Sequence, residues 1–217
     1  MRVKVCCIAS VDEARLAHEA GADLLGLVSQ TLSGSGAIPD GRIRAIVDSL
    51  PDSATPCLLT SEYDPHAIAQ HVQTTRVRAV QLVGPISPQD VSALRSLVPD
   101  LALIKVIHVE SSRSYDLASS YADVADCLLL DSAVRSADSV LLGGTGRTHD
   151  WSLSRRIADA TAKPVYLAGG LHPGNVEQAI AAVTPDGVDV CSGIRRAGSL
   201  SKSLLADFVA RAAAAAG

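Results

Sequence analysis

Four short stretches of this 217-residue chain place ionisable or anion-binding groups where apolar runs end. In Val3–Ile8, Lys4 and Cys6 share one face, because side chains alternate with period two along a strand, while Val3, Val5 and Cys7 take the other. A lysine turned into a packed interior is costly unless it is paired or functional. Cys6 leaves the strand at its C-terminal end, where a thiol can serve either packing or chemistry. Asp131 shares a face with Cys127 and Leu129 and closes the run Leu128-Leu129-Leu130. A carboxylate there is open to two uses, reaction chemistry or capping of the following loop. Asp189 faces opposite to Val188 and Val190, placed either to orient a substrate hydroxyl or to pair with Lys4. Ala168-Gly169-Gly170 and Cys191-Ser192-Gly193-Ile194 let the backbone approach an anion closely, with the Ser192 hydroxyl as an added donor, although turns also use such glycines.

The elements that must position these groups alternate along the chain. Strands are expected at Val3–Ile8, Leu24–Val28, Thr55–Leu59, Ala79–Leu82, Ala102–Ile107, Cys127–Asp131, Pro164–Ala168 and Val188–Cys191. Helices are expected at Val11–Ala20, Asp40–Ser49, Pro65–Val72, Pro88–Leu97, Tyr115–Tyr121, Trp151–Ala162, Pro173–Ala182 and Ser203–Ala215. Ser10 and Ser87 stand as N-caps, and Gly21 and Gly41 suit helix ends and turns. Strict alternation implies parallel βαβ units, and the count of eight pairs fits a closed α/β barrel better than an open sheet. The expectation is one compact (β/α)8 TIM-barrel domain over residues 1–217. Its long or glycine-rich segments, Ser29–Pro39, Ser132–Asp150, Gly169–Gly174 and Ser192–Ser201, all follow strands and therefore crowd the catalytic face. In such barrels a phosphate sits between the loops after strands seven and eight, here the two glycine stretches. Gly143-Gly144-Thr145-Gly146 lacks the lysine and strand context of a Walker motif and suits a loop over the substrate.

Composition narrows the function. Apolar residues make up 47% of the chain, which excludes a disordered one, and no apolar run reaches the roughly 18 residues of a membrane span. A net charge of −4 without a basic block disfavours nucleic acid, and 3% aromatics leaves little to stack on bases. The five cysteines, Cys6, Cys7, Cys57, Cys127 and Cys191, are odd in number and lack CxxC spacing, so neither a disulfide framework nor a zinc site is expected. With no signal peptide before the first strand, the chain reads as cytoplasmic.

Several segments, in order, resemble the phosphoribosylanthranilate isomerase family. They are Val3-Lys4-Val5-Cys6; Glu19-Ala20-Gly21-Ala22-Asp23 with Leu25-Gly26; Val80-Gln81-Leu82 with Gly84; Leu129-Leu130-Asp131-Ser132; Gly143-Gly144-Thr145-Gly146-Arg147-Thr148 with Asp150-Trp151-Ser152; Leu167-Ala168-Gly169-Gly170-Leu171 with Pro173 and Asn175-Val176; and Gly187-Val188-Asp189-Val190 with Ser192-Gly193. The resemblance spans nearly the whole chain. It implies an eightfold barrel without cofactor or metal, acting on a phosphorylated small molecule as monomer or homodimer. It implies an Amadori rearrangement with Cys6 as general base and Asp131 as general acid. The acid protonates the ribose ring oxygen and opens a Schiff base, the base takes the C2 proton, and the enol tautomerises to a 1-deoxy-ketose. One group must begin deprotonated and the other protonated. Lys4, on the face of Cys6, is expected to lower the thiol's pKa. Lys4, Gln81, Asp189 and Arg195 are expected at the substrate, and Gly169, Gly170, Ser192 and Gly193 at its phosphate.

The departures from the family pattern lie on the aromatic-acid side. Cys7 replaces a glycine, Ser33-Gly34-Ser35 replaces a Ser-Pro-Arg whose arginine holds a carboxylate, and Val83 replaces a histidine. Cys191-Ser192-Gly193-Ile194-Arg195 replaces Ser-Ser-Gly-Val-Glu, so Arg195 or Arg196 either compensates for the missing cation or is a solvated surface arginine. A paralogue acting on another phosphoribosyl amine and a non-catalytic phosphate-binding barrel are the rival readings. A related sugar isomerase with an aspartate in its first strand is disfavoured by Cys6.

Overall fold

The computed structural model describes residues 1–32, 36–136, 139–142 and 150–215, with backbone only for 133–136 and 139–142. Eight parallel strands form the barrel, β1 Arg2–Val5, β2 Leu24–Ser29, β3 Thr55–Thr60, β4 Ala79–Leu82, β5 Ala102–His108, β6 Cys127–Asp131, β7 Val165–Leu167 and β8 Gly187–Val190, and the short strand Ala37–Ile38, expected as loop, pairs alongside the end of β2. Each pairs with the next, and β1 pairs with both β2 and β8, so the sheet closes on itself as a barrel. Eight helices return the chain over the outside: α1 Val11–Glu19, α2 Asp40–Ser49, α3 Pro65–Thr75, α4 Pro88–Leu97, α5 Arg113–Tyr121, α6 Trp151–Ala160, α7 Val176–Val183 and α8 Lys202–Ala214. The expected (β/α)8 architecture is the observed one.

Period-two alternation divides the strand residues between two apolar layers. Outward residues such as Val3, Val5, Leu25, Leu58 and Leu128 pack with the helices, whereas Cys57, Leu59, Ile104, Val106, Leu129 and Tyr166 fill the barrel interior. Few aromatic rings are needed because the interior is filled largely by aliphatic and cysteine side chains. Ser10, Ser87 and Ser201 accept from backbone amides at the starts of α1, α4 and α8, as N-caps do.

Several boundaries differ from expectation, each with a local cause. β1 ends at Val5, because Cys7 turns into the left-handed region at φ 61° and ends the extended run. Cys191 likewise lies beyond β8, in front of a short 3-10 turn, Ser192–Ile194. α7 begins at Val176 and not at Pro173, since the Asn175 side chain accepts from the His172 amide and donates to the Gly170 carbonyl. Residues expected as plain loops form antiparallel pairs: Ala133–Ser136 with Ser139–Leu142, and Arg195–Arg196 with Ser199–Leu200. The second pair turns on Ala197 and Gly198, both at positive φ, the conformation that suits the twist of a two-residue hairpin. The stretches 33–35 and 143–149, the expected carboxylate loop and covering loop, lie outside the described residues.

Candidate active site

Because the strands are parallel, all eight C-terminal ends open on one face of the barrel. Cys6 follows β1, Asp131 ends β6, Gly169 and Gly170 follow β7, and Ser192 and Gly193 follow β8. Cys6 is buried among the interior residues, and Asp131 stands in phase with Cys127 and Leu129 of that same layer. Both side chains therefore belong to the barrel lumen and not to the helix side.

Lys4 is fully buried, and its Nζ lies 3.0 Å from Asp189 Oδ1. The β1–β8 register sets the two residues opposite each other. Of the two uses open to Asp189, the structure shows the pairing with Lys4. Burial opposes the lysine's charge, but Asp189 more than compensates and holds its pKa above the ordinary value. The Asp189 carboxyl is itself pushed up to about 7, by burial first, against the pull of Lys4.

Gly26 on β2 makes the room for this arrangement. A Cβ there would stand 3.2 Å from both Cys6 Sγ and Lys4 Nζ and 3.1 Å from Cys6 Cα. The thiol and the ammonium thus converge over one glycine. The expected lowering of the Cys6 pKa is nevertheless overturned: its thiol is raised, chiefly by its hydrogen bond to Cys191 and further by burial. Cys7 and Lys4 pull in the other direction and do not prevail, the ammonium being already neutralised by Asp189.

Asp131 is raised as well. Burial and the negative charges of Asp189 and Cys6 push its carboxyl up to about 7, although the Ser132 amide donates to Oδ1 at 2.7 Å and Lys4 attracts it. A carboxyl with that value is substantially protonated at neutral pH and can give up a proton.

The two glycine stretches meet. A Cβ on Gly193 would overlap the Leu171 carbonyl oxygen and lie 2.7 Å from His172 Cβ, so the 3-10 turn is pressed onto the loop after β7. Gly169, at φ 88°, approaches Ser132, where a Cβ would stand 2.7 Å from Oγ, so this loop also abuts the end of β6. Among the described residues, the amides of Gly169, Gly170, Ser192 and Gly193 donate to no carbonyl or side chain. Backbone N–H groups left without protein partners are available to an anion.

Gln81, on the interior face of β4, is buried, and its Oε1 has no hydrogen-bond partner among the described residues. Arg195 requires a correction. Expected at the mouth as a substitute cation, it instead pairs with Glu13 at 2.9 Å and donates to the Gly198 and Cys7 carbonyls. Its two terminal nitrogens are spent on the protein itself. Arg196 is exposed.

Two residues escaped the sequence reading. His108 ends β5 opposite Asp131, and both its ring nitrogens are buried without a partner among the described residues. Its pKa is lowered by burial and by Lys105. The alternation Ala102, Ile104, Val106, His108 carries the signal, but the strand was expected to stop one residue short. Gly26 was visible only as part of the motif, since nothing in one strand shows what approaches it from another. No group of three or more His, Cys, Asp or Glu side chains among the described residues could hold a metal ion.

Residues 3–211 match the family model described as N-(5'-phosphoribosyl)anthranilate isomerase. The curated isomerase of that name from Methanocella arvoryzae is 37% identical over 193 residues, 89% of this chain and 88% of the relative. The crystal structure of phosphoribosyl anthranilate isomerase from Thermotoga maritima superposes with a TM-score of 0.84 at 29% identity, covering 99% of both chains. A further isomerase structure, solved in complex with reduced 1-(o-carboxyphenylamino)-1-deoxyribulose 5-phosphate, gives a TM-score of 0.82 at 27% identity, again over 99% of both chains.

Proposed function

The chain belongs to the N-(5'-phosphoribosyl)anthranilate isomerase family, aldose–ketose isomerases of tryptophan biosynthesis, and from that premise we propose that Cys6 and Asp131 carry its Amadori rearrangement. The observation that carries this reading is the meeting of a carboxyl that holds its proton and a thiol in one barrel lumen. Asp131, pushed up to about 7, keeps a large protonated fraction at neutral pH, and Cys6 stands in the same lumen beside a buried ammonium.

In the proposed cycle Asp131 gives its proton to the ribose ring oxygen, the ring C–O bond breaks, and a Schiff base forms at C1. Cys6, as thiolate, takes the C2 proton and leaves the enol form of the amine. Tautomerisation then gives the 1-deoxy-ketose, and no cofactor or metal takes part. The amides of Gly169, Gly170, Ser192 and Gly193 receive the 5'-phosphate, which fixes the sugar against the acid and the base. Lys4 and Asp189 hold the floor of the pocket, with Asp189 and the free Gln81 carbonyl oxygen within the lumen to meet substrate hydroxyls or the amine.

The test is turnover of N-(5'-phosphoribosyl)anthranilate by the purified chain, together with complementation of a tryptophan auxotroph. Turnover lost in both Cys6→Ser and Asp131→Asn supports the assignment, and unchanged turnover in either variant defeats it.

A second reading is favoured by Val83 and Arg195. Val83 is buried and apolar where the family pattern carries histidine, and Arg195 is committed to Glu13. Under this reading the chemistry is the same but the amine lacks the anthranilate carboxylate. Failure to complement the auxotroph, with turnover of another N-phosphoribosyl amine, would select it.

A further inference from the structure

Three thiols meet where β1 and β8 end. Cys7 Sγ lies 2.8 Å from Cys191 Sγ and 3.9 Å from Cys6 Sγ. Cys7 and Cys191 are half-buried at the mouth, and both stand where the chain departs from its family pattern. Neither takes a part in the proton transfers described above.

The backbone holds this pair from both sides. Cys7 has the unusual φ of 61°, and its carbonyl accepts from Arg195, which is anchored on Glu13. Gly36 leaves space for Cys7, since a Cβ there would stand 3.1 Å from Cys7 Cβ and 3.3 Å from its Sγ. The Cys6 amide donates to the Val190 carbonyl at 2.8 Å, which ties the two strand ends together immediately below the thiols. Cys57 and Cys127 lie deeper in the lumen, and burial pushes both thiols up to about 12, which keeps them protonated and inert.

We propose that Cys7 and Cys191 form a redox-active dithiol that closes to a disulfide on meeting a peroxide and reopens with a thiol reductant, while Cys6 keeps its thiol. Cys191 is the sulfur that reacts first. The hydrogen bonds it shares with Cys6 and Cys7 hold it well below the ordinary thiol range, with Arg195 assisting and burial and Asp189 opposing. Its thiolate attacks one peroxide oxygen, the O–O bond breaks, and the departing oxygen takes a proton to leave as water. Cys7 sulfur then attacks the resulting sulfenic acid. The S–S bond forms, the S–O bond breaks, and hydroxide combines with the Cys7 proton as a second water. Each sulfur gives up one electron and the peroxide accepts both. The bond joins the residue after Cys6 to the residue before Ser192, so an oxidant reaching the mouth is consumed beside Cys6 and not on it.

The experiment treats the full chain with hydrogen peroxide, quenches it, and counts free thiols by alkylation under denaturing conditions with peptide mapping by mass spectrometry. The expected result is loss of two of the five thiols, a Cys7–Cys191 cross-linked peptide lighter by two hydrogens, alkylated Cys6, and full recovery with dithiothreitol. Cys7→Ala and Cys191→Ser are each expected to form no intramolecular disulfide. A cross-link that includes Cys6, or five thiols remaining after peroxide consumes the control thiols, overturns the proposal. Disulfide formation that persists in either variant overturns it as well.

Discussion

Lys4 and Asp189 occupy one rung of the β1–β8 pairing, and their side chains meet 3.0 Å apart inside the barrel. The pair neutralises what would otherwise be an isolated charge in an apolar lumen. Breaking one side of such a buried pair typically costs about 3–5 kcal/mol, because the other group is left uncompensated. Asp189→Leu alone should therefore lose stability in that range in urea unfolding, and Lys4→Met/Asp189→Leu should recover much of it. Equal losses in the single and the double variant would mean that the two residues are not coupled.

Replacing Cys6 with Ser should lower kcat by about 10²–10⁴, the usual worth of a positioned general base, with little change in KM. Steady-state kinetics separate the two parameters. A serine variant with wild-type kcat would reduce Cys6 to a packing residue.

The raised Asp131 carboxyl gives the pH dependence its sign. A general acid must begin protonated, so kcat/KM should fall as pH rises through about 7. The same shift works against the fold. The folded state holds this proton more tightly than the unfolded one, so the cost of Asp131 grows from about pH 4 to about pH 7 and then stays constant. Asp131→Asn should accordingly be inactive yet gain more in Tm at pH 8 than at pH 5, at about 2–4 °C per kcal/mol recovered. An equal Tm change at both values would remove the argument.

Gly193→Ala should displace the 3-10 turn, because the added Cβ has no room beside the Leu171 carbonyl. Loss of hydrogen bonds to a charged phosphate is worth about 1.5–3 kcal/mol, so KM for a phosphorylated substrate should rise roughly 10–100-fold. Competition by inorganic phosphate should weaken in parallel, and a variant that still binds phosphate normally would place the anion elsewhere.

Arg195→Ala should act on stability more than on substrate binding. It removes the partner of Glu13, whose carboxyl lies below its ordinary pKa, against the cost of its burial, through bonds from Arg195 and the Ala9 and Leu200 amides. A loss of about 1.5–3 kcal/mol is expected near neutral pH. The difference from wild type should shrink as pH falls through the carboxylate range, where Glu13 takes up a proton in either protein. A large rise in KM with unchanged stability would return Arg195 to the substrate.

Local pattern settled much of this protein. The eight strand–helix alternations specify parallel units, since each apolar strand needs a helix to cover its outer face, and their number matches the closed barrel. Period two fixed the phase of Lys4, Cys6, Asp131 and Asp189, and the structure turns all four into the lumen as that phase requires. Strand ends were less legible. Cys7 at positive φ ends β1 early, and His108 extends β5 by one residue, which kept a lumen histidine out of view.

The tertiary structure alone decided who meets whom. Pairing is set by register between strands far apart in sequence, and no local pattern encodes that register. It joined Lys4 to Asp189 and so fixed one of the two uses open to the carboxylate. It set Cys191 beside Cys6 and Cys7, which raised the thiol that Lys4 alone would have lowered. It also drew Arg195 onto Glu13, across 182 residues, and away from the pocket. Periodicity tells a side chain which way to face, but its charge state depends on neighbours that only chain closure supplies.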